Sequence, residues 1–375
     1  MTPAASLLIV TYNAAPFVRR LLDSVRSQTF KDFETVLVDN ASKDETVAIV
    51  EGEYPEVTLF KMAENLHFAR GNNEAYARAR APIVVLLNQD TWVHHDWLEK
   101  LLAPLFEDAS GAVACTHAPI LNEGETYAHS TARFALEGRS LSTLTVAGRN
   151  CGTTVPLTLW NVFYGSGAGV AIRKSAAGER LFDPDYIAYA EDLALGWRLR
   201  IGGGKVRLVP EAAIHHALPP EGRPTTPEIL YLWERNRLFT LYIHYTTRTR
   251  WLLHPVFAAD VLALALPRPA RVLPDGSRAS APPAQDAAPS GPRGALYRAV
   301  IRAMLEALAR RGELAGKHRE VDASRTGPES EVTLAMTSRL TPFDEGWHGR
   351  LNRFSAAWCR AFGVLTVEEA GKGGP

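Results

Sequence analysis

The chain has 375 residues, of which 46% are hydrophobic and 22% charged, and its 41 Lys and Arg residues balance its 41 Asp and Glu residues. This composition is typical of a globular protein with one large domain or two, and zero net charge gives no reason to expect a nucleic-acid partner. The three cysteines form no CxxC pair, which argues against a zinc site or a disulfide framework. The first residues lack the basic and apolar regions of a signal peptide, so we expect a cytoplasmic location.

Short apolar runs alternate with helical patterns along the first hundred residues. Strands are predicted at residues 6–10, 33–38, 57–61 and 83–87; helices are predicted from Pro16, at 46–53 and at 74–80, with a polar loop at 65–73. The run at 83–87 is short, wholly apolar and β-branched at its start, which suits a strand buried in a parallel sheet. The alternation therefore predicts an α/β fold with right-handed crossovers.

Polar side chains follow three of these strands: Thr11, Tyr12 and Asn13; Asp39 and Asn40; and Asn88, Gln89 and Asp90. In an open α/β sheet, ligands bind outside the carboxyl ends of the strands, so we expect these groups at one edge. Asp90 can hold a divalent metal on a phosphate, or it can cap a helix beginning near His94. Asp39 can accept a hydrogen bond from a base or a ribose, or it can form an Asx-turn.

The second half of the predicted domain carries further candidate groups. A helix is predicted at 97–106 and strands at 113–120 and 206–209, and the glycines of 165–169 allow either a close backbone approach or a tight turn into a strand. Glu191 and Asp192 fall in the first turn of a helix, where they complement the dipole or act as a general base. His215 and His216 follow Pro210 and the last strand.

Four ordered segments resemble family 2 glycosyltransferases of the GT-A fold: LLIVTYNAAPFVRRLLDSVRSQTF, ETVLVDNASKDET, NLHFARGNNEAYARA and VVLLNQDTWV. The resemblance implies a Rossmann-like, mostly parallel sheet with helices on both faces and a C-terminal helical extension. It also implies inverting transfer of a sugar from a nucleotide-diphosphate donor to a hydroxyl of a polysaccharide or lipid-linked glycan. The family usually carries DxD where this chain has Asn88-Gln89-Asp90, and NxD resembles rhamnosyltransferase-type members. This pattern favours dTDP-rhamnose or a UDP-sugar as the donor.

The same resemblance assigns expected roles to individual side chains. Asp192 is the expected base, with Glu191 as the alternative, and Asp90 with His216 would hold Mg²⁺ or Mn²⁺, with His215 as the second choice. Members close to this pattern often have a second Asp where this chain has Ala194. The residues expected to contact the nucleotide sugar are Thr11, Tyr12, Asn13, Asp39, Asn40, Asn65, Arg70, Asn73, Asn88, Gln89 and Asp90.

Four regions are predicted: a catalytic domain at 1–217, C-terminal helices at 218–266, a Pro- and Ala-rich linker at 267–294, and a helical, partly disordered tail at 295–375. Helices are expected at 226–245, 295–311 and 347–362. The apolar run at 251–266 is too short to span a bilayer and contains Asp260. The helix at 295–311 pairs an apolar face with arginines, which suits either peripheral attachment to the inner face of the membrane or docking on the catalytic domain. The sequence gives no indication of an oligomeric state.

Two rival functions stay open at this point. A nucleotidyltransferase also uses carboxylates on a nucleotide-binding fold, but it needs a Gly-rich basic loop that TYNAAPFVRR does not supply. A catalytically weak module that only binds sugar nucleotides is compatible with Asn88 and Ala194.

Overall fold

The computed structural model describes residues 2–121, 143–144, 150–151, 162–217, 226–265, 293–334, 336, 340 and 346–366. The chain divides into two compact units. We call residues 1–138 with 157–217 the sheet unit, and residues 139–156 with 218–375 the helical unit. The predicted linker lies outside the described residues except for its last two positions, as does the end of the predicted tail.

The sheet unit is built on seven hydrogen-bonded strands. In chain order the described strands are β1 (Ala5–Thr11), β2 (Phe33–Asp39), β3 (Val57–Lys61), β4 (Ile83–Leu87), β5 (Thr91–Val93), β6 (Val113–His117), β7 (Ile120–Leu121), β8 (Thr143–Leu144), β9 (Asn150–Cys151), β10 (Gly169–Arg173), β11 (Lys205–Leu208) and β12 (Ile214–His216). The main sheet has the order β11-β6-β10-β4-β1-β2-β3. Only β10 runs antiparallel to its neighbours in it, so the sheet is mostly parallel, as predicted.

Helices cover both faces of this sheet. They are α1 (Val18–Arg26), α2 (Thr46–Glu53), α3 (His67–Arg78), α4 (Trp97–Glu107), α5 (Lys174–Ala177) and α6 (Glu191–Ile201), with a 3₁₀ turn at Pro210–Ala212. Leu7 and Ile9 of β1 join a core cluster with residues of α1, α2 and α4. Leu8 is equally buried, and its side chain points to the opposite face because side chains alternate along a strand. There α3 packs on β1 and β2.

Helix α3 corrects the prediction of a loop at 65–73, since it begins at His67 rather than Glu74. The polar and glycine content of this segment suggested a loop, but tertiary packing overrides it. A Cβ on Gly71 would lie 2.8 Å from Val10 Cγ1 and 2.9 Å from Asn40 Nδ2, so the glycine lets α3 approach the sheet closely. The Asn72 amide donates to the carbonyl of Phe68 and so stays within the helix.

The structure also excludes one open alternative and corrects one predicted strand. Asp90 and Thr91 do not cap a helix near His94, because β5 follows directly and α4 begins at Trp97. The strand predicted at 113–120 is divided into β6 and β7. Pro119 lies between them and has no N–H group to donate to a strand ladder.

The helical unit contains α7 (Pro227–His244), α8 (Thr247–Leu252), α9 (His254–Ala265), α10 (Arg293–Ala309), α11 (Arg311–Ala323), α12 (Glu329–Thr333) and α13 (Gly346–Ala361), while β8 and β9 form a separate pair. The helices predicted at 226–245, 295–311 and 347–362 are present, whereas α11 and α12 were not predicted. No helix in the described part of the chain is long and apolar enough to cross a membrane. Asp260 of α9 is buried, and its Oδ2 atom lies 3.5 Å from Nη1 of Arg237. This ion pair explains the presence of an acid in the apolar run at 251–266.

Candidate active site

The carboxyl ends of β1, β2 and β4 meet at one edge of the sheet, as predicted. Thr11 is the register partner of Asp39, and the Asn40 N–H donates to the Thr11 carbonyl at 2.8 Å. The Gln89 side chain accepts from the Tyr12 N–H at 2.7 Å. Three polar clusters that are far apart in sequence are therefore joined by hydrogen bonds into one group.

Asp39 is buried, and its carboxylate organises the loop that follows β2. It accepts from the Thr11 hydroxyl at 3.0 Å, from the Ser42 hydroxyl at 2.5 Å and from the Ser42 N–H at 2.9 Å. A carboxylate has about four acceptor positions, so these three bonds use most of its capacity. The turn role is therefore present in the structure, and contact with a base or a ribose stays a prediction.

The loops after β1 and β2 also hold each other through Asn13. Its N–H donates to the Ser42 hydroxyl at 2.8 Å, and its side-chain oxygen accepts from the Lys43 N–H at 2.8 Å. Asn13 and Ala41 both have positive φ, at 52° and 61°. Non-glycine residues in this region cost on the order of 1–3 kcal/mol each, so surrounding contacts must enforce this loop geometry. Tyr12, next to Asn13, keeps 43% of its surface exposed.

Helix α3 and the residue pair before it supply three further predicted residues, of which Asn65 and Asn73 form hydrogen bonds with backbone groups. The Asn65 side chain accepts from the His67 N–H at 2.8 Å. Asn73 both donates to and accepts from the backbone of Phe182, at 2.8 Å in each direction. Arg70 is exposed on the same helix. Asn73 thus ties α3 to the segment that precedes α6, and direct donor contacts of these residues stay predictions.

Asp90 and His216 are close together, although 126 positions separate them in the sequence shown. β12 runs antiparallel to β5 with His216 opposite Thr91, and the Ala217 N–H donates to the Asp90 carbonyl at 2.8 Å. This pairing brings His216 Nε2 to 3.4 Å from Asp90 Oδ1, with both side chains buried. The predicted juxtaposition is therefore present.

One carboxylate and one imidazole fit a divalent transition ion. Carboxylates suit Mg²⁺ and Mn²⁺, while imidazole suits transition ions, so Asp90 with His216 fits Mn²⁺ better than Mg²⁺. Two protein ligands leave coordination positions for diphosphate oxygens and water. The chemistry of this pair is thus compatible with the expected cofactor, and metal binding stays a prediction.

A stack of three side chains supports β12 from its other face. The Trp92 and His215 rings lie parallel with centroids 5.2 Å apart, and the Arg20 guanidinium carbon is 3.2 Å from the Trp92 ring centre. Because neighbouring residues on a strand face opposite ways, His215 points away from the side on which His216 meets Asp90. His215 as the second choice of ligand is therefore disfavoured. Trp92 and Arg20 were missed because the sequence gives no sign of their pairing.

Glu191 and Asp192 begin α6 after a strained turn, since Tyr189 and Ala190 have φ of 71° and 62°. Burial and the neighbouring Asp192 charge raise the pKa of Glu191 well above its ordinary value. Its Oε2 atom is buried and has no hydrogen-bond partner within the described ranges. Burial also raises the pKa of Asp192 to about 6, although the N–H groups of Leu193 and Gly167 oppose that shift. Burial thus makes both carboxyls weaker acids than they are in water.

The glycine-rich segment at 163–169 connects these two parts of the site. The Asn88 N–H donates to the Ala168 carbonyl at 3.3 Å, while the backbone of Gly167 contacts the Asp192 carboxylate. A Cβ on Gly196 of α6 would lie 2.4 Å from Tyr164 Cβ, so a glycine is required for the helix to approach this segment. The close-approach interpretation of the 165–169 glycines is supported at Gly165 and Gly169, where a Cβ would lie 2.8 Å from Val170 Cγ2 and from Ile214 Cδ1 respectively. One short loop joins the expected base to the strand end that carries Asp90.

Comparisons with known proteins agree with this architecture. Residues 6–181 match the family described as Glycosyl transferase family 2. The putative glycosyltransferase EpsH of Bacillus subtilis is 32% identical over 120 residues, covering 31% of this chain and 34% of that protein. The O-antigen chain rhamnosyltransferase RfbN of Salmonella typhimurium is 25% identical over 215 residues, covering 56% of this chain and 66% of that protein. The chain thus spans less than two thirds of either relative.

A third relative and two solved structures extend the comparison. The N-acetylglucosaminyl-diphospho-decaprenol L-rhamnosyltransferase of Mycobacterium tuberculosis is 26% identical over 257 residues, covering 60% of this chain and 79% of that protein. The structure of GalNAc-T7 with UDP, GalNAc and Mn²⁺ is 18% identical with a TM-score of 0.53, covering 71% of this chain and 52% of that one. The structure of Staphylococcus aureus TarS 1-349 is 14% identical with a TM-score of 0.50, covering 96% of this chain and 88% of that one. These structures bear on the fold alone. Residues 6–181 therefore match the family 2 glycosyltransferases, the sheet unit has the GT-A fold, and the chain is similar to rhamnosyltransferases.

Proposed function

We propose that this chain transfers a sugar, with inversion, from a nucleotide-diphosphate sugar to a hydroxyl of a polysaccharide or lipid-linked glycan. The observation that carries the proposal is the Asp192 carboxylate, whose pKa is raised to about 6. A single loop links it to the strand end bearing Asn88 and Asp90. A base of that strength close to a diphosphate site is what direct displacement at an anomeric carbon needs.

In the proposed reaction the acceptor oxygen attacks the anomeric carbon as Asp192 takes its proton. The bond from that carbon to the diphosphate oxygen breaks, and the diphosphate leaves with the electron pair. Burial and the Asp192 charge raise the pKa of Glu191, which favours its protonated form beside a charged Asp192. A divalent ion on Asp90 and His216 would stabilise the negative charge of the leaving diphosphate.

The donor and the acceptor are proposed from two lines of support. Both RfbN and the mycobacterial relative are named as rhamnosyltransferases, and this chain has Asn88-Gln89-Asp90 in place of DxD. We therefore favour dTDP-rhamnose over a UDP-sugar. The name of the mycobacterial relative contains a diphospho-decaprenol acceptor, which supports a lipid-linked glycan here and peripheral contact with the cytoplasmic face of the membrane.

Assays with purified protein test the proposal directly. Donor hydrolysis and transfer are measured for dTDP-rhamnose, UDP-sugars and GDP-sugars, each with Mn²⁺, with Mg²⁺ and with EDTA. We expect turnover of one nucleotide class and its loss in the Asp192→Asn variant. Donor binding without turnover for any acceptor tried would instead favour the weak sugar-nucleotide-binding module. Formation of a nucleotide–sugar bond from a sugar phosphate would favour the nucleotidyltransferase.

A further inference from the structure

Helix α10 packs with its small residues inward and its large apolar residues outward. Ala299 and Ala303 are buried against Leu230 and Tyr231 of α7. The outward side carries five large apolar side chains that are 49–61% exposed: Tyr297, Ile301, Met304, Leu305 and Leu308. Their spacing places them on one stripe of the helix. A stripe of this kind lowers the free energy of the protein only if something apolar covers it.

Helix α13 also buries its small and polar residues and exposes large ones, which here are aromatic. Its buried side is small or polar and consists of His348, Gly349, Asn352, Ser355 and Cys359. Trp347 is 59% exposed, and Phe354 and Phe362 about 40%. The rings of Phe354, Trp358 and Phe362 contact one another in tilted pairs, with centroids 5.7 Å and 4.6 Å apart. Two helices of one unit therefore expose the residues that a soluble helix would normally bury.

Arginines accompany both stripes, with little acid to balance them. Helix α13 has three arginines in its 16 residues and no Asp or Glu. Helix α10 has three arginines and one acid, Glu306, which already contacts the Tyr231 hydroxyl and lies 3.8 Å from Arg310. Arg298 and Arg302 are exposed beside the apolar stripe of α10. Apolar stripes flanked by unbalanced arginines match the interface of an anionic bilayer, where aromatic side chains also accumulate.

We propose that the exposed stripes of α10 and α13 bind the surface of an anionic lipid bilayer. A second copy of the chain is a poorer occupant, because a two-fold contact would bring like-charged arginines together. The inference rests on the proposed function in one respect only: membrane binding would bring the active site to a lipid-linked acceptor. Vesicle binding needs neither donor nor acceptor, so the lipid inference and the proposed function can fail separately.

Sedimentation of the full chain with phosphatidylcholine vesicles, with and without phosphatidylglycerol, tests the inference. We expect binding to the anionic vesicles only, weakening as salt is added. A variant should partition into anionic vesicles at least tenfold less than wild type if it combines Leu305→Ala, Leu308→Ala, Trp347→Ala and Phe354→Ala. Each of these substitutions removes several apolar carbons from the membrane-binding surface. Phe106→Ala is the matched control, because Phe106 is 49% exposed on α4 of the sheet unit.

Charge is tested separately with Arg298→Gln and Arg353→Gln. Each should weaken binding to anionic vesicles by about fivefold, while Arg207→Gln, on the exposed side of β11, should not. Circular dichroism and nucleotide affinity equal to wild type show that a variant is folded. Wild-type protein that stays in the supernatant with anionic vesicles, or a four-residue variant that binds as wild type does, overturns the proposal. A concentration-dependent dimer that the four-residue variant abolishes also overturns it and assigns the stripes to a second copy.

Discussion

Asp192→Asn tests the proposed base through activity and stability together. Asparagine keeps an oxygen that can accept from the Leu193 N–H, so the start of α6 is preserved while basicity is lost. Transfer should fall by about two to four orders of magnitude, the usual contribution of a general base. Nucleotide affinity should change little, because the proton that Asp192 accepts belongs to the acceptor. In wild type, transfer should rise with pH through about 6, the pKa of Asp192.

The same substitution should stabilise the fold at neutral pH. The pKa of Asp192 is 3.8 in a solvated chain and about 6 in the folded one. As pH rises between these values the unfolded chain releases its proton first, so wild type loses stability, and the loss is complete above the folded pKa. At about 1.4 kcal/mol for each pKa unit, the loss reaches about 3 kcal/mol. Asp192→Asn lacks this loss.

Urea unfolding at a series of pH values measures that difference. We expect the variant to exceed wild type by up to about 3 kcal/mol near pH 8 and by well under 1 kcal/mol near pH 4. Glu191→Gln is the matched control, because Glu191 is the buried neighbour of Asp192 and its pKa is also raised. It should stabilise the fold in the same direction and keep more of the transfer activity. An Asp192→Asn variant that transfers at the wild-type rate, or that gains no stability with rising pH, refutes this reasoning and points to Glu191.

Three other substitutions test the remaining parts of the site. Asp90→Asn should abolish Mn²⁺ binding, measured by calorimetry with nucleoside diphosphate present. His95→Gln is the control and should not abolish it, although His95 belongs to an exposed group that could also hold an ion. Wild-type turnover that is indifferent to EDTA would contradict the metal role. Asp39→Ala should weaken nucleoside diphosphate binding by about 1–3 kcal/mol, and an equal loss in Ser42→Ala would mean that Asp39 acts only through its loop. Trp92→Leu removes the ring stack between Trp92 and His215 of β12. It should weaken Mn²⁺ binding by about 10–100-fold and leave nucleotide affinity unchanged. Equal losses of Mn²⁺ affinity and nucleotide affinity would indicate general damage to the sheet.

The sequence was most informative where periodicity and strand ends coincide. The runs that became β1, β2 and β4 are short and apolar, and each ends in polar residues, so their common edge could be predicted. The pairing of Asp90 with His216 followed from the family resemblance, since nothing local links two residues so distant in sequence. The Trp92–His215 stack depends on the antiparallel register of β5 and β12, which could not be predicted from the sequences of two such short strands.

The failures have a common physical cause. The start of α3 was misjudged because Gly71 and Asn72 disfavour a helix locally, and only the close contacts with Val10 and Asn40 reveal why a glycine is needed. Helix α13 was predicted, but its orientation was not. A helix pattern locates an apolar stripe and does not indicate whether the protein or another phase covers it. The buried Ser355 and the exposed Trp347 could be assigned only from the folded structure.

The residues preceding α6 show how the site and the stability of the fold are connected. Tyr189 and Ala190 hold left-handed backbone without being glycine, and they directly precede the buried Glu191 and the half-buried Asp192. Each of these features raises the free energy of the folded state, so the surrounding packing must compensate. Gly196 supplies part of that packing, since a Cβ there would lie 3.0 Å from the Phe163 carbonyl and closer still to Tyr164. A helix anchored this tightly can keep Asp192 half-buried, and that burial makes its carboxylate basic enough to take a proton from a hydroxyl.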